Sequence, residues 1–510
     1  MSSRSSATVD IPQDQTAPVV DSEKGQDGDS KKLQVQVNQP SEDPSPYLVA
    51  LSPEEDPKNR SAFRKWLIVV TVSMSALCVT CASSMAAFTE APIAKEFQIG
   101  TEVSILGVSL YVQGLGIAPL LLGPLSELYG RNIVYRASFF LFWVFSWPVA
   151  FPPHIAVFLI FRFLTGFSGA AFLSVAGGSV SDLFTNDKLA NPMAFFTMAP
   201  FIGPVLGPLL SGFINQHAEW RWTYRVLLIW IFVQLVALVV FVPETYPPIL
   251  LKWKAQKLRK TSGDDRYYAP VEKQTKYKSL THAILMSCYV PFQLLLLDRM
   301  ALLLDLWNAL LLGILYLAFQ AFPIIFEEGH QFSIQFTGLT FLGVGIGMFL
   351  GLASQPYWNS LYRSKAAKYE GDPPCELHLI MGQTGAILVP LSLYWLAFTT
   401  YPHVHWIVPI IASVPFGTGI LLCYTSTWTY LVTAYRPVAA SSMAANTFVR
   451  TTFAAAFPLF AGQMYHRLGT VGATALLAGL TTISAPLPFI FYRIGGRLRQ
   501  NSRFAQTNLS

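Results

Sequence analysis

Apolar residues run along this chain in long blocks, and short polar stretches separate them. Twelve blocks stand out: 66–89, 101–122, 133–151, 154–177, 192–213, 223–242, 301–325, 333–353, 377–398, 405–430, 440–462 and 470–492. Each approaches the ~20 residues a helix needs to cross roughly 30 Å of hydrocarbon. The pattern predicts an all-α integral membrane protein of twelve spans, because a helix satisfies its own backbone where water is absent. Trp66, Trp220, Trp222, Tyr246, Tyr401, Trp406 and Tyr492 lie near block ends, where amphipathic rings favour the membrane boundary.

The polar stretches set the organisation. Residues 1–65 are rich in Ser, Asp, Glu, Gln, Pro and Lys and predict a disordered tail. The longest internal polar stretch, 243–300, divides the blocks into halves at 66–242 and 301–492, with a second tail at 493–510. With the N-terminus in the cytosol, Arg131, Arg136, Lys188, the basic residues between Lys252 and Arg299, and Arg493 to Arg503 are cytosolic. Lys95, Arg221, Arg225 and Arg467 then face outward. That asymmetry predicts both termini in the cytosol. Residues 1–20 have no apolar core after a basic start, so span 1 is expected to act as an uncleaved signal anchor.

Composition agrees with a membrane location. The chain is 52% hydrophobic and 13% charged, against about 25% charged in soluble domains. Its net charge of +6 follows from the loop bias, and nucleic acid is not an expected partner. Cys78 and Cys81 form a C-x-x-C inside span 1, where packing outweighs redox or zinc chemistry. No metal, cofactor or nucleophile constellation is apparent, so no enzyme is expected. The basic stretch Lys252–Lys260 suits either the anionic inner leaflet or a solvated loop. Residues 280–297 are apolar enough for an interfacial helix leading into span 7.

Local motifs narrow the class. After span 2 the chain reads Gly123-Pro-Leu-Ser-Glu127-Leu-Tyr-Gly130-Arg131. This resembles the G-x-L-a-D-r-x-G-r-[RK] signature of the major facilitator superfamily, with Glu for Asp and departures at Leu128 and Asn132. The resemblance implies an inner gate latch in which Asp182, at the end of span 4, joins Glu127 and Arg131. Span 4 carries Arg162-Phe-Leu-Thr-Gly166, which is similar to the R-x-x-x-G segment of drug/proton antiporters. Span 5 reads Ala199-Pro-Phe-Ile-Gly203-Pro204-Val-Leu-Gly207-Pro208 and resembles the antiporter motif g-x-x-x-G-P-x-x-G-G. Small residues there admit a neighbouring helix, and prolines remove donors and bend the rod. Pro243-Glu244-Thr-Tyr-Pro-Pro-Ile-Leu-Leu251 after span 6, and Ala444 to Phe460 in span 11, look like segments of fungal multidrug transporters.

Together these matches cover about residues 64–495. They resemble the twelve-span drug/proton antiporter family of fungi. That resemblance implies two pseudo-symmetric six-helix halves and alternating access. It also implies proton-driven export of drugs, polyamines or secondary metabolites. The expected partners are a small organic substrate, protons and the bilayer. The expected assembly is a monomer in the plasma membrane. The alternative is an uptake carrier for a nutrient or polyamine, which the span 5 motif disfavours.

Charge is expensive inside a membrane, so buried polar groups mark the working parts. Arg162, Asp305, Glu90 and Arg450 are the candidates for proton coupling. Asp305 has an alternative reading as a cap at the start of span 7, and Glu90 as an exposed group beside Pro92. Gln113, Tyr316, Gln320, Tyr424, Trp428 and Asn446 are the candidate substrate contacts, since cavities of this kind pair aromatic faces with few polar groups.

Overall fold

The computed structural model describes residues 47–185, 188–270, 272, 280–369, 373–500 and 502–505. Most of the tail expected to be disordered, 1–46, lies outside them. The membrane helices are numbered in chain order. α1 is Ala62–Phe97, and α2 is Thr101–Ile117 continued by Pro119–Tyr129 across a 42° bend. α3 is Arg131–Ala150, α4 Ile155–Leu183, α5 Asn191–His217 and α6 Arg221–Phe241. α7 is Arg299–Gly329, α8 Ile334–Ala366, α9 Cys375–Thr399 and α10 Ile407–Ala434. The last apolar stretch, Ala439–Gln500, breaks at Gly469, where φ is 70° and ψ 167°. α11 precedes that glycine and α12 follows it. Among the described residues, ten helices are long and apolar enough to cross a membrane, and the bent α2 adds another. With the break at Gly469, the arrangement is consistent with twelve crossings.

Helix pairing repeats with an offset of six. α1 packs on α5 as α7 packs on α11, and α2 on α4 as α8 on α10. The halves meet along two equivalent seams, α2 with α11 and α5 with α8. Small residues bring the rods together. A Cβ at Gly166 of α4 would strike the Tyr111 backbone of α2, and one at Gly347 of α8 the Val414 carbonyl of α10. Val69 and Phe139 belong to an apolar core within the first half, and Leu304 and Tyr430 to a larger one that also takes in Phe88, Val112 and Phe201 of the first half.

Two expectations change. Residues 47–61 are not a free end of the tail. Val49 donates to the Tyr268 carbonyl at 3.1 Å, Tyr268 donates back to Tyr47 at 3.1 Å, and Val49 packs on Ala255 and Ala269. Among the described residues, the stretch 243–300 adds a helix not expected from the sequence, Pro247–Ser262, to the expected one at Leu280–Leu297. The second reaches both halves, against the Pro119–Tyr129 segment and α11, with Phe292 edge-on to Phe448. Among the described residues, nothing lies within 4 Å of where a Cβ on Gly123 would sit.

Candidate transport site

At the end of the bundle where α1 begins, Arg131 starts α3. Its Nε donates to Asp182 Oδ2 at 2.6 Å, and its guanidinium lies 4.8 Å over the Tyr246 ring. Glu127 is exposed and has no ion pair among the described residues, so the Glu127–Arg131 pair expected from sequence is not formed. Glu244 supplies the buried carboxylate instead. It is 6% exposed and accepts from the backbone N–H groups of Arg131, Asn132, Thr245 and Tyr246 at 2.9–3.1 Å. A carboxylate fits there because the first N–H groups of a helix are unpaired and its dipole is positive. Gly130 takes φ 99°, and a Cβ on it would run into the Glu244 carboxylate. In the second half Arg499 holds Glu376 through two hydrogen bonds, at 2.9 and 3.0 Å.

Span 5 works through its packing. α5 is one continuous helix through Pro200, Pro204 and Pro208. A Cβ at Gly203 would meet Thr80 and Cys81 of α1, and one at Gly207 would meet Cys81, Ser84 and Met85. The opposite face serves the other half, since a Cβ at Gly338 of α8 would strike the Pro208 carbonyl. α5 is thus held between α1 and the inter-half seam.

Arg162 is 1% exposed and has no carboxylate partner among the described residues. Its Nε donates to the Gly107 carbonyl at 2.9 Å, and both terminal nitrogens donate to Ala82 at 3.2–3.3 Å. Its charge lies 4.4 Å from the Tyr111 ring and 5.7 Å from that of Tyr224. Cation–π contact and a planar fork of donors suit an arginine so placed. The side chain ties α1, α2, α4 and α6 together.

The centre lies mostly in the second half. Asp298 caps α7, accepting from Met300 and Ala301 at 3.0 and 3.1 Å. Asp305 is therefore two turns inside the helix and fully buried, which excludes the capping role. Asn446 of α11 donates to Asp305 Oδ1 at 2.9 Å, and Trp428 of α10 donates to Asn446 at 3.1 Å. Asp305 Oδ2 and the side-chain amide of Asn308 have no partner among the described residues. Tyr424 donates to the Asn308 carbonyl at 2.9 Å. Arg450 lies 4.8 Å over Trp428 and 5.8 Å over Tyr424, and its Nε has no partner among the described residues. Phe201 of α5 packs on Tyr424 and Trp428, with ring centroids 5.5 and 5.6 Å away, so this cluster touches both halves.

The remaining candidates bridge the halves. Ser83 and the Tyr316 hydroxyl are 2.8 Å apart. Gln320 donates to Glu90 Oε2 at 2.6 Å, and Glu90 is 6% exposed, which rules out the reading as a free exposed group. Gln113 reaches Thr452 at 3.5 Å on the α2–α11 seam. Tyr316 and Gln320 thus contact α1 and are not free in a cavity. Sequence motifs found Arg131 and Asp182. They did not reveal Glu244's role, although its string Pro243-Glu244-Thr245 was visible.

A membrane bundle with two pseudo-symmetric halves, a polar-aromatic centre and side-chain bridges between the halves defines a transporter-type protein. The chain belongs to the Major Facilitator Superfamily, whose model matches residues 72–458, and within it to the group of fungal efflux pumps and drug/proton antiporters. It is 44% identical to "Efflux pump atB" of Aspergillus terreus over 468 residues, covering 90% of each chain. It is 40% identical to "Probable drug/proton antiporter YHK8" of Saccharomyces cerevisiae over 453 residues, covering 89% of this chain and 88% of that one. Among solved structures it is similar to the xylose transporter XylE of E. coli in a partially occluded inward-open conformation. The TM-score is 0.59 at 15% identity, covering 85% of this chain and 98% of that one. A peptide transporter POT gives 0.61 at 14%, covering 89% and 100%. At those identities the likeness concerns the fold.

Proposed function

We propose that the chain exports small apolar or amphipathic organic molecules, such as drugs or secondary metabolites, in exchange for protons. It works as a monomer in the plasma membrane with both termini cytosolic. The two halves rock about the α2–α11 and α5–α8 seams and expose the centre to each side in turn. The names carried by its relatives support export over uptake.

The observation that carries the reading is Asp305. One carboxylate oxygen is held by Asn446 and the other is buried without a partner among the described residues, at the edge of an aromatic cluster shared by both halves. That oxygen takes either a proton or a hydrogen-bond donor of the cargo. Mutual exclusion at one atom exchanges cargo for proton. Tyr424, Trp428 and Phe201 supply apolar faces, Asn446 orients the carboxylate, and Arg450 supplies charge beside it.

The test uses purified protein in proteoliposomes with an imposed pH gradient and rhodamine 6G as the probe. Export coupled to protons drives dye against its own gradient, in the direction opposite to proton flow. Dye moving with the protons favours an uptake carrier, and movement indifferent to the gradient removes coupling.

A further inference from the structure

We propose that the Glu90–Gln320 contact is a proton-operated lock on the end of the transport path opposite the Arg131–Asp182 pair. The proposal rests on the transport reading above and adds a residue pair that sets when that end opens. Glu90 belongs to the first half and Gln320 to the second, so the end cannot open while their 2.6 Å bond persists. Nearby, Ser83 and Tyr316 form a second α1–α7 bridge.

The lock has an incomplete partner set. Glu90 Oε2 accepts from Gln320, and Oε1 is buried without a partner among the described residues. The surrounding ionisable groups are engaged elsewhere or lie apart. On its own helix Lys95 is exposed, and Glu96 pairs with Arg221 of α6. The Tyr224 hydroxyl of α6 is 2.8 Å from that of Thr89, and Arg162 of α4 is bound to carbonyls. Glu102 of α2 accepts from Gln463, and His217 of α5 meets Gln335. Glu327 and Glu328, near the end of α7, carry the same sign as Glu90. No cation among the described residues forms an ion pair with Glu90.

Closing this end therefore moves a carboxylate out of water against a single donor. An unpaired buried charge is costly, and a proton removes it. A proton from the solution at that end settles on Oε1, while Oε2 keeps its bond to Gln320. Closure then carries the proton into the bundle, the direction an exporter driven by protons requires.

The test measures opening directly. Nitroxide labels go on cysteines placed at Glu219, between α5 and α6, and at His403, between α9 and α10, after replacing the incompletely buried Cys288 and Cys375. In lipid nanodiscs, the parent's distance distribution is expected to shift to longer values between pH 5.5 and 8.5. Glu90→Gln, which keeps a partner for Gln320 without charge, should remain short at both. Gln320→Leu should lengthen it at both. A parent distribution that ignores pH, or a Glu90→Gln variant that responds as the parent does, overturns the lock. Rhodamine 6G transport is assayed alongside. Absent transport with an intact distance response sinks only the export reading.

Discussion

The Glu244 carboxylate lies across the start of α3 and accepts the Arg131 backbone N–H at 3.1 Å, although 113 residues separate them. The same group satisfies Asn132, Thr245 and Tyr246. Arg60 donates to the Glu244 carbonyl at 3.0 Å, so the segment before α1 joins this junction. Glu244→Ala strands several buried donors. A loss of about 3 kcal/mol is expected, since each buried unsatisfied group costs about 1–3 kcal/mol. Thermal melts in detergent should show it, and Glu127→Gln should melt like the parent.

Gly130 serves the same junction by geometry. Its φ of 99° suits glycine, and the space a Cβ would take is occupied by Glu244. Gly130→Ala is expected to lower stability by about 1–3 kcal/mol from backbone strain alone. It should also loosen the Arg131–Asp182 pair, read as faster modification of a cysteine placed at Ser181, which is exposed on the same helix. An unchanged melting temperature contradicts the account.

The spans were legible because a bilayer demands about 20 apolar residues per helix, and little else in a chain writes so long a signal. Arg131 and Asp182 were legible because motif spacing put both at one membrane face. Glu244 was not, because its partners lie far upstream and no local period marks a helix cap contributed from elsewhere. Asp298 and Asp305 stand seven residues apart, and composition could not say which began α7. The structure gives the cap to Asp298 and the core position to Asp305. Residues 47–61 looked like tail because their few contacts are single side chains such as Val49, too sparse to change the composition.

Asp305 carries the coupling chemistry in the proposed cycle. Asp305→Asn keeps the shape and a partner for Asn446 but cannot lose a proton. Rhodamine 6G export driven by a pH gradient should fall by about 10-fold or more, the scale of a charge-assisted hydrogen bond worth about 1.5–3 kcal/mol. Residual flux should no longer respond to pH. A pH profile that follows the parent's would exclude Asp305 as the exchange site.

Arg162 acts first as a tie between helices. Arg162→Ala leaves a void and removes the donors of the Gly107 and Ala82 carbonyls, so a loss of about 3 kcal/mol is expected. Lysine keeps the charge but not the fork or the stacking, so Arg162→Lys should fall between. Melting and dye transport measured together separate the roles. Lost transport at a parental melting temperature would make Arg162 a coupling residue and not a structural one.

Glu55 gives the strap over 47–61 a pH dependence. The hydrogen bond from Lys254, helped by Ser52, holds its carboxyl down at about 2 from an ordinary value of 4.5. A depressed value means the contact stabilises fully above about 4.5 and is lost as pH falls towards about 2. The pair is exposed, so the effect is local loosening and not unfolding. Hydrogen exchange at the Val49 and Tyr268 amides, corrected for intrinsic rates, should quicken across that window. Glu55→Gln should exchange quickly already at pH 7 and show no further change on acidification. Removing residues 1–55 deletes most of the strap and should speed exchange at Tyr268 by the same route, and protection that survives the deletion would show that the strap does not hold the segment around Tyr268.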